Sequence, residues 1–206
     1  MLDPTTIRPH RTGSGPAVVL LHGIGTTWRM WDGLLALADR FELFAYDFPG
    51  HGETAAADGP FEIDDLSEQL AAVLAASGIG RAHIAGSSLG GMVAQHFAAA
   101  WPMRVDRLVL CDTTPALSEG MRDEFLAQGQ AAAAMARADL MDLAEDIMAP
   151  TLVLCAEGAD LAMREGADFL ARSIPLGGFA FVPGAARDGV AERPGWIARV
   201  LRDFLG

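Results

Sequence analysis

Gly86-Ser87-Ser88-Leu89-Gly90 puts a hydroxyl between two glycines in the spacing G-x-S-x-G. The strand-like run Arg81-Ala82-His83-Ile84-Ala85 precedes it, and an apolar helical pattern, Gly91 to Ala98, follows. That context predicts a sharp strand-to-helix turn that thrusts the Ser88 hydroxyl out of a sheet. The glycines are required because the turn is strained and the helix packs too close to the strand for side chains. The same turn aims the Leu89 N–H at the place where an oxyanion would form. A serine there suits nucleophilic attack on a carbonyl, provided a base takes its proton and a third group orients that base.

Two further segments fit the same chemistry. Val18-Val19-Leu20-Leu21 is a short buried strand running into His22-Gly23-Ile24-Gly25, and Ala45-Tyr46-Asp47-Phe48-Pro49-Gly50-His51-Gly52 is a strand end with a tight turn. In order, the three motifs resemble the α/β-hydrolase superfamily, in particular its small lactonase, esterase and carbon–carbon hydrolase branch, typified by 3-oxoadipate enol-lactonase. The resemblance runs from about Ala17 to Leu205. It implies Ser88 as nucleophile and the N–H groups of Leu89 and Ile24 as the oxyanion hole.

The resemblance also implies a chain order of Ser, acid and His. The acid is expected after the strand Thr151–Cys155, where Asp160 fits if one residue has been inserted; the alternative there is a solvated loop acid. Asp112, at the end of the preceding strand, is a substitute position used by some relatives. At the base the pattern breaks. The family reads P-G-A-G-H and then E-x-P, whereas this chain reads Pro183-Gly184-Ala185-Ala186-Arg187 and then Glu192-Arg193-Pro194. Arg187 stands where the catalytic histidine belongs, and the five histidines (His10, His22, His51, His83, His96) all precede it. His96 is roughly 12 Å along its helix from Ser88, which leaves His22 and His51 as candidates for a recruited base. Arginine has no acceptor lone pair and stays protonated, so it cannot serve as one. It can grip a carboxylate or phosphate through two hydrogen bonds, or pair with Asp160, or simply face solvent.

Three readings follow. The first is a hydrolase of small esters or lactones, slow or using an unusual base. The second is a lyase, isomerase or cyclase in which the oxyanion hole stabilises an enolate and Arg187 holds an acidic substrate. The third is a non-catalytic small-molecule binder, since fold does not dictate function. The cleft is expected to be lined by Ile24, Trp28, Leu89, Thr113, Met163 and Val190, with Trp28 a candidate substrate contact or a core residue.

The elements that must position these groups alternate strand and helix, which predicts an α/β fold with a mostly parallel sheet covered on both faces. Strands are expected at about 17–22, 42–47, 82–87, 107–112, 151–155 and 179–182, about six in all. Helices are expected at about 28–38, 63–77, 89–100, 165–173 and 194–205. The N-terminal hairpin of the family is reduced to about sixteen residues, and its lid to a vestigial cap over 115–149. Such a site should be open or covered by a partner subunit. With a mean hydropathy of +0.24, a homodimer is expected.

At 206 residues the chain suits one domain, which would bury about 70 % of its unfolded surface. A formal charge of −12 argues against nucleic acid. All fifteen basic residues are arginine, which excludes a lysine Schiff base. Metal-ligand spacings are absent, so neither metal nor other cofactor is expected. Cys111 and Cys155 fall in apolar runs and need no disulfide. Met1-Leu2-Asp3-Pro4 carries no basic region leading into an apolar stretch, and no apolar run nears ~20 residues. A cytoplasmic protein without membrane contact, acting on a small molecule, is the expectation.

Overall fold

Parallel strands need crossover connections, and the hand of those crossovers decides where every helix lies. The computed structural model describes residues 2–206, so Met1 and any reading that starts from it lie outside the described residues. The strands are β1 (His10–Gly13), β2 (Ala17–Leu21), β3 (Glu42–Tyr46), β4 (Ala82–Ser87), β5 (Val105–Cys111), β6 (Thr151–Ala156) and β7 (Gly177–Val182). They form one sheet in the order β1-β3-β2-β4-β5-β6-β7, with β1 antiparallel to β3 and the other pairs parallel. The helices are α1 (Ile63–Ala76), α2 (Leu89–Ala100), α3 (Glu119–Leu126), α4 (Gln130–Arg137), α5 (Leu161–Ser173), α6 (Gly189–Glu192) and α7 (Pro194–Leu205).

From β2 the chain steps to one side to reach β3, then crosses back over β2 to β4 and continues outward. Right-handed crossovers therefore place the β2–β3 connection on one face and α1, α2 and α5 on the other. The packing agrees. α1 lies against α2, α2 against β4 and β5, and α5 against β6 and β7, while α7 packs on Trp28–Asp39. The reversal of direction between β2 and β4 leaves a crevice at their carboxyl ends, the usual ligand position in an open α/β sheet. Ile24 follows β2 and Ser88 follows β4, so both sit at its edge.

Six strands fall where hydrophobic patterning predicts them; the seventh, β1, does not. His10–Gly13 is an exposed edge strand without an apolar face, held to β3 by backbone pairing that leaves no side-chain periodicity to read. Residues 28–39 form 3-10 turns instead of the expected α-helix. α1 opens on a capping box between Glu62 and Asp65 and is followed by Gly78 at φ +74°.

The tightest contact lies behind the Ser88 turn. A Cβ on Gly86 would overlap the Gly90 carbonyl, and one on Gly90 would overlap the carbonyls of Leu21 and His22. We expect Gly90→Ala to push α2 off the sheet and cost about 3 kcal/mol in urea denaturation. Gly120→Ala, at a position in α3 with open space around it, should instead stabilise by about 0.5 kcal/mol. Equal midpoints for the two variants would mean that α2 has room to spare.

Candidate active site

Ser88 adopts φ 50° and ψ −114°, a strained conformation for a residue with a side chain. Its neighbours hold it there. Ser88 N–H donates to the Cys111 carbonyl (3.1 Å), Gly90 N–H to the His22 carbonyl (3.0 Å) and Thr113 Oγ1 to the Ser88 carbonyl (2.9 Å). Ser88 is the one residue between Ala82 and Gly90 that is not buried. It lines a cavity of about 690 Å³ together with Ile24, Asp112, Asp160 and Arg187.

On either side of Ile24 and Leu89 the backbone donors are engaged: Gly23 N–H with Met30 Sδ, Gly25 N–H with His51 Nε2, Ser88 and Gly90 as above. Among the described residues, the Ile24 and Leu89 N–H groups have no partner. The Leu89 side chain is fully buried, so only its backbone is available to a ligand.

The loops around the serine are pinned by polar side chains; the resemblance implies a loop-shaping role for His22 and His51, whereas the role of Asp47 is one that sequence reasoning missed. His22 Nδ1 donates to the Gly23 carbonyl (2.8 Å), and its Nε2 accepts the Phe48 N–H (2.9 Å). Burial, first, pushes the His22 pKa down to about 4. Asp47 accepts the N–H groups of Trp28 (2.7 Å) and Glu53 (2.9 Å). His51 is engaged at both ring nitrogens, by Gly25 N–H (3.2 Å) and the Pro49 carbonyl (3.2 Å). None of the five histidines lines the cavity, and both candidate recruited bases are holding loops.

The two acids have different surroundings. Asp112 is buried at φ 45°, and its carboxylate accepts the N–H groups of Ala156 (2.7 Å) and Gly189 (2.8 Å). It thus ties together the loops after β5, β6 and β7. Burial, first, raises its pKa to about 6, with the nearby Asp188 and Glu192 carboxylates adding to the rise and the two N–H donors opposing it. Asp160 is exposed and caps α5 through the Met163 N–H (2.9 Å). Arg187 is exposed at the cavity, and among the described residues its guanidinium pairs with neither Asp160 nor any other group. Its turn is nevertheless well fixed. The Glu192 carboxylate accepts the N–H groups of Ala186 (2.7 Å), Arg187 (2.8 Å) and Asp188 (2.9 Å), which holds its pKa down to about 2. The E-x-P flank was the sequence signal for that clasp.

Trp28 is a correction. Its ring lies outside the Ser88 cavity, stacked on His10 at 3.9 Å with Arg29 4.5 Å away, in a separate hollow beside Trp31 and Leu43. The Asp47 bond to its N–H, at the start of the 3-10 turns, accompanies this placement. Thr113 and Val190 are buried behind the wall, whereas Ile24 and Met163 line it as expected. Cys111 and Cys155 are buried free thiols. Among the described residues no cluster of His, Cys, Asp and Glu has the makings of a metal site, and no helix is long and apolar enough to cross a membrane.

A family model described as alpha/beta hydrolase fold matches residues 16–158, and the chain belongs to that family. A pimeloyl-[acyl-carrier protein] methyl ester esterase from Pseudoalteromonas atlantica is 37% identical over 118 residues, covering 56% of this chain and 44% of that protein. The chain spans less than half the length of the curated relatives it matches. A hydrolase from Pseudomonas aeruginosa PA01 superposes with a TM-score of 0.90 at 27% identity, covering 97% of this chain and 94% of that one. The enol-lactonase from Burkholderia xenovorans LB400 shares the fold, with a TM-score of 0.86 at 24% identity over 97% of this chain and 96% of its own.

The shifted groups predict a pH signature. A depressed His22 makes the native state lose stability as pH falls from 6.5 towards about 4. A raised Asp112 makes it lose stability as pH rises from 3.8 towards about 6. The two slopes oppose and partly cancel between about pH 4.5 and 6, while His83 and His96, also lowered by burial, add to the His22 slope. Asp112→Asn should unmask the His22 slope, a loss of about 3 kcal/mol on acidification from pH 6.5 to 4. Urea titrations across that range check it, and an unchanged slope in the variant would assign Asp112 an ordinary carboxyl.

Proposed function

We propose that this chain is a serine hydrolase of ester or lactone substrates with Ser88 as nucleophile. The single observation that carries the reading is the pairing of a strained serine at the cavity with two free N–H groups, those of Ile24 and Leu89. Attack by Ser88 Oγ on a carbonyl would place negative charge on the carbonyl oxygen, and those donors would meet it without reorganising. Membership of the α/β-hydrolase family and similarity to esterases support the same chemistry.

The weak point is proton transfer. Arg187 occupies the histidine's turn, so unaided turnover is slow; triad enzymes stripped of a member keep only ~10³–10⁴ over water. Of the two acids we assign Asp112 to the site. It is buried at the floor of the cavity, whereas Asp160 is occupied in capping α5. A second reading, binding or enolate chemistry without hydrolysis, is favoured by the unpaired Arg187 guanidinium, which is free to hold an anionic substrate.

Restoring the base separates these. Arg187→His should raise p-nitrophenyl acetate hydrolysis at least tenfold. Adding Asp112→Asn should remove that gain, and adding Asp160→Asn should leave it. Ser88→Ala should abolish both the turnover and labelling by a fluorophosphonate. If the restored variant gains nothing while its circular dichroism is unchanged and the parent resists labelling, the second reading replaces the first.

A further inference from the structure

The wall of the Ser88 cavity is built from two helices that turn apolar stripes towards it. On α3, Met121 and Phe125 stand one turn apart and both line the cavity. On α5, Ala162, Met163, Gly166 and Phe169 form the matching stripe. Met141, from the 3-10 turns Met141–Asp146 before β6, also lines the cavity. None of the residues of α3 is buried, and Met121, Phe125, Met163 and Phe169 are only partly covered. An amphipathic helix ordinarily spends its apolar face on the core. These four side chains pack against the core on one side and line the cavity on the other.

The close approach of α5 is forced. A Cβ at Gly166 would come within 2.5 Å of Thr114 Cγ2, so this helix reaches the loop after β5 only because position 166 carries no side chain. Met30 has another task, its sulfur accepting the Gly23 N–H (3.3 Å) and the Thr26 hydroxyl (3.4 Å) behind the Ile24 turn. The other three methionines are unbranched, with three rotatable bonds and a polarisable sulfur, and so reshape themselves around an irregular apolar guest. Charged residues of the same helices also reach the cavity: Glu119 and Glu165 are exposed, and Arg122 is half-buried with its Nε donating to the Leu117 carbonyl (3.0 Å).

We propose that this wall holds a flexible, extended aliphatic acyl chain, the acid half of the ester whose carbonyl meets Ser88. The inference rests on the Ser88 reading for the position of the carbonyl and adds the substrate class. A rigid substrate would be served by a wall of β-branched residues, which hold one shape, whereas Met121, Met141 and Met163 are unbranched. A short one would leave most of 690 Å³ unfilled.

The test measures binding, so that it does not depend on turnover. Ser88→Ala is titrated by calorimetry with p-nitrophenyl acetate, butyrate, hexanoate and octanoate. Affinity should rise about fourfold for each added methylene until the chain outgrows the wall. In the Ser88→Ala background, Met121→Gln with Met163→Gln should weaken hexanoate binding at least tenfold and leave acetate within twofold, with an unchanged circular dichroism spectrum. A flat series overturns the proposal, and so does a graded series that the two glutamines do not touch, since the chain would then lie elsewhere. If the glutamine variant fails to fold, Phe125→Ser, on half-exposed α3, replaces it with the same expected loss. Acetate hydrolysis by the parent protein, measured alongside, reports on the hydrolase reading by itself: turnover with a flat series sinks only the acyl-chain proposal, and a graded series without turnover sinks only the hydrolase.

Discussion

The site depends on how closely α2 approaches the sheet. At Gly86 and Gly90 the helix backbone lies against strand carbonyls with no space for a methyl group. That contact forces the chain to leave β4 and enter α2 within one residue, and the residue between them must take a positive φ. Ser88 takes it. Strain of order 1–3 kcal/mol persists only where surrounding structure over-determines it. Here three hydrogen bonds, to Cys111, His22 and Thr113, fasten the turn from both neighbouring strand ends. The hydroxyl is exposed because everything else about it is held.

Around that point the loops are organised by buried or well-bonded polar side chains. His22 joins the turn after β2 to the turn after β3, and Asp47 does the same from the opposite side. Asp112 joins the ends of β5, β6 and the loop after β7. Each accepts backbone N–H groups that would otherwise be left unpaired at the end of a sheet, where such loss is costly. Glu192 works similarly at the surface, gathering three successive N–H groups and so shaping the turn of residue 187.

That turn carries Arg187 at the Ser88 cavity. Its backbone is clasped by Glu192, and Asp112, just past β5, accepts the Gly189 N–H two residues on. The side chain at 187 is a permanent cation with nothing among the described residues to neutralise it. A guanidinium donates hydrogen bonds and accepts none, so this side chain is able to hold an anion and unable to take a proton. The Ser88 turn, the Ile24 and Leu89 N–H groups and the apolar wall are not built from that loop.

The strand–turn–helix spacing about Ser88, six of the seven strands and the arginine at 187 were legible in the sequence, because each is a local pattern of apolar period, glycine position or flanking motif. β1 was not, having no apolar face to betray it. From the sequence Asp160, in the loop after β6, is the expected acid and Asp112 a substitute position. Only folding gives one of them backbone donors 44 and 77 residues away and the other a cap on its own helix. Trp28 left the cleft for a stack with His10, and Met121, Met141 and Met163 converged on a single cavity. Local chain chemistry set the turn and the serine on it. Partners, burial and the contents of the cleft waited on contacts between distant segments, which no window of sequence contains.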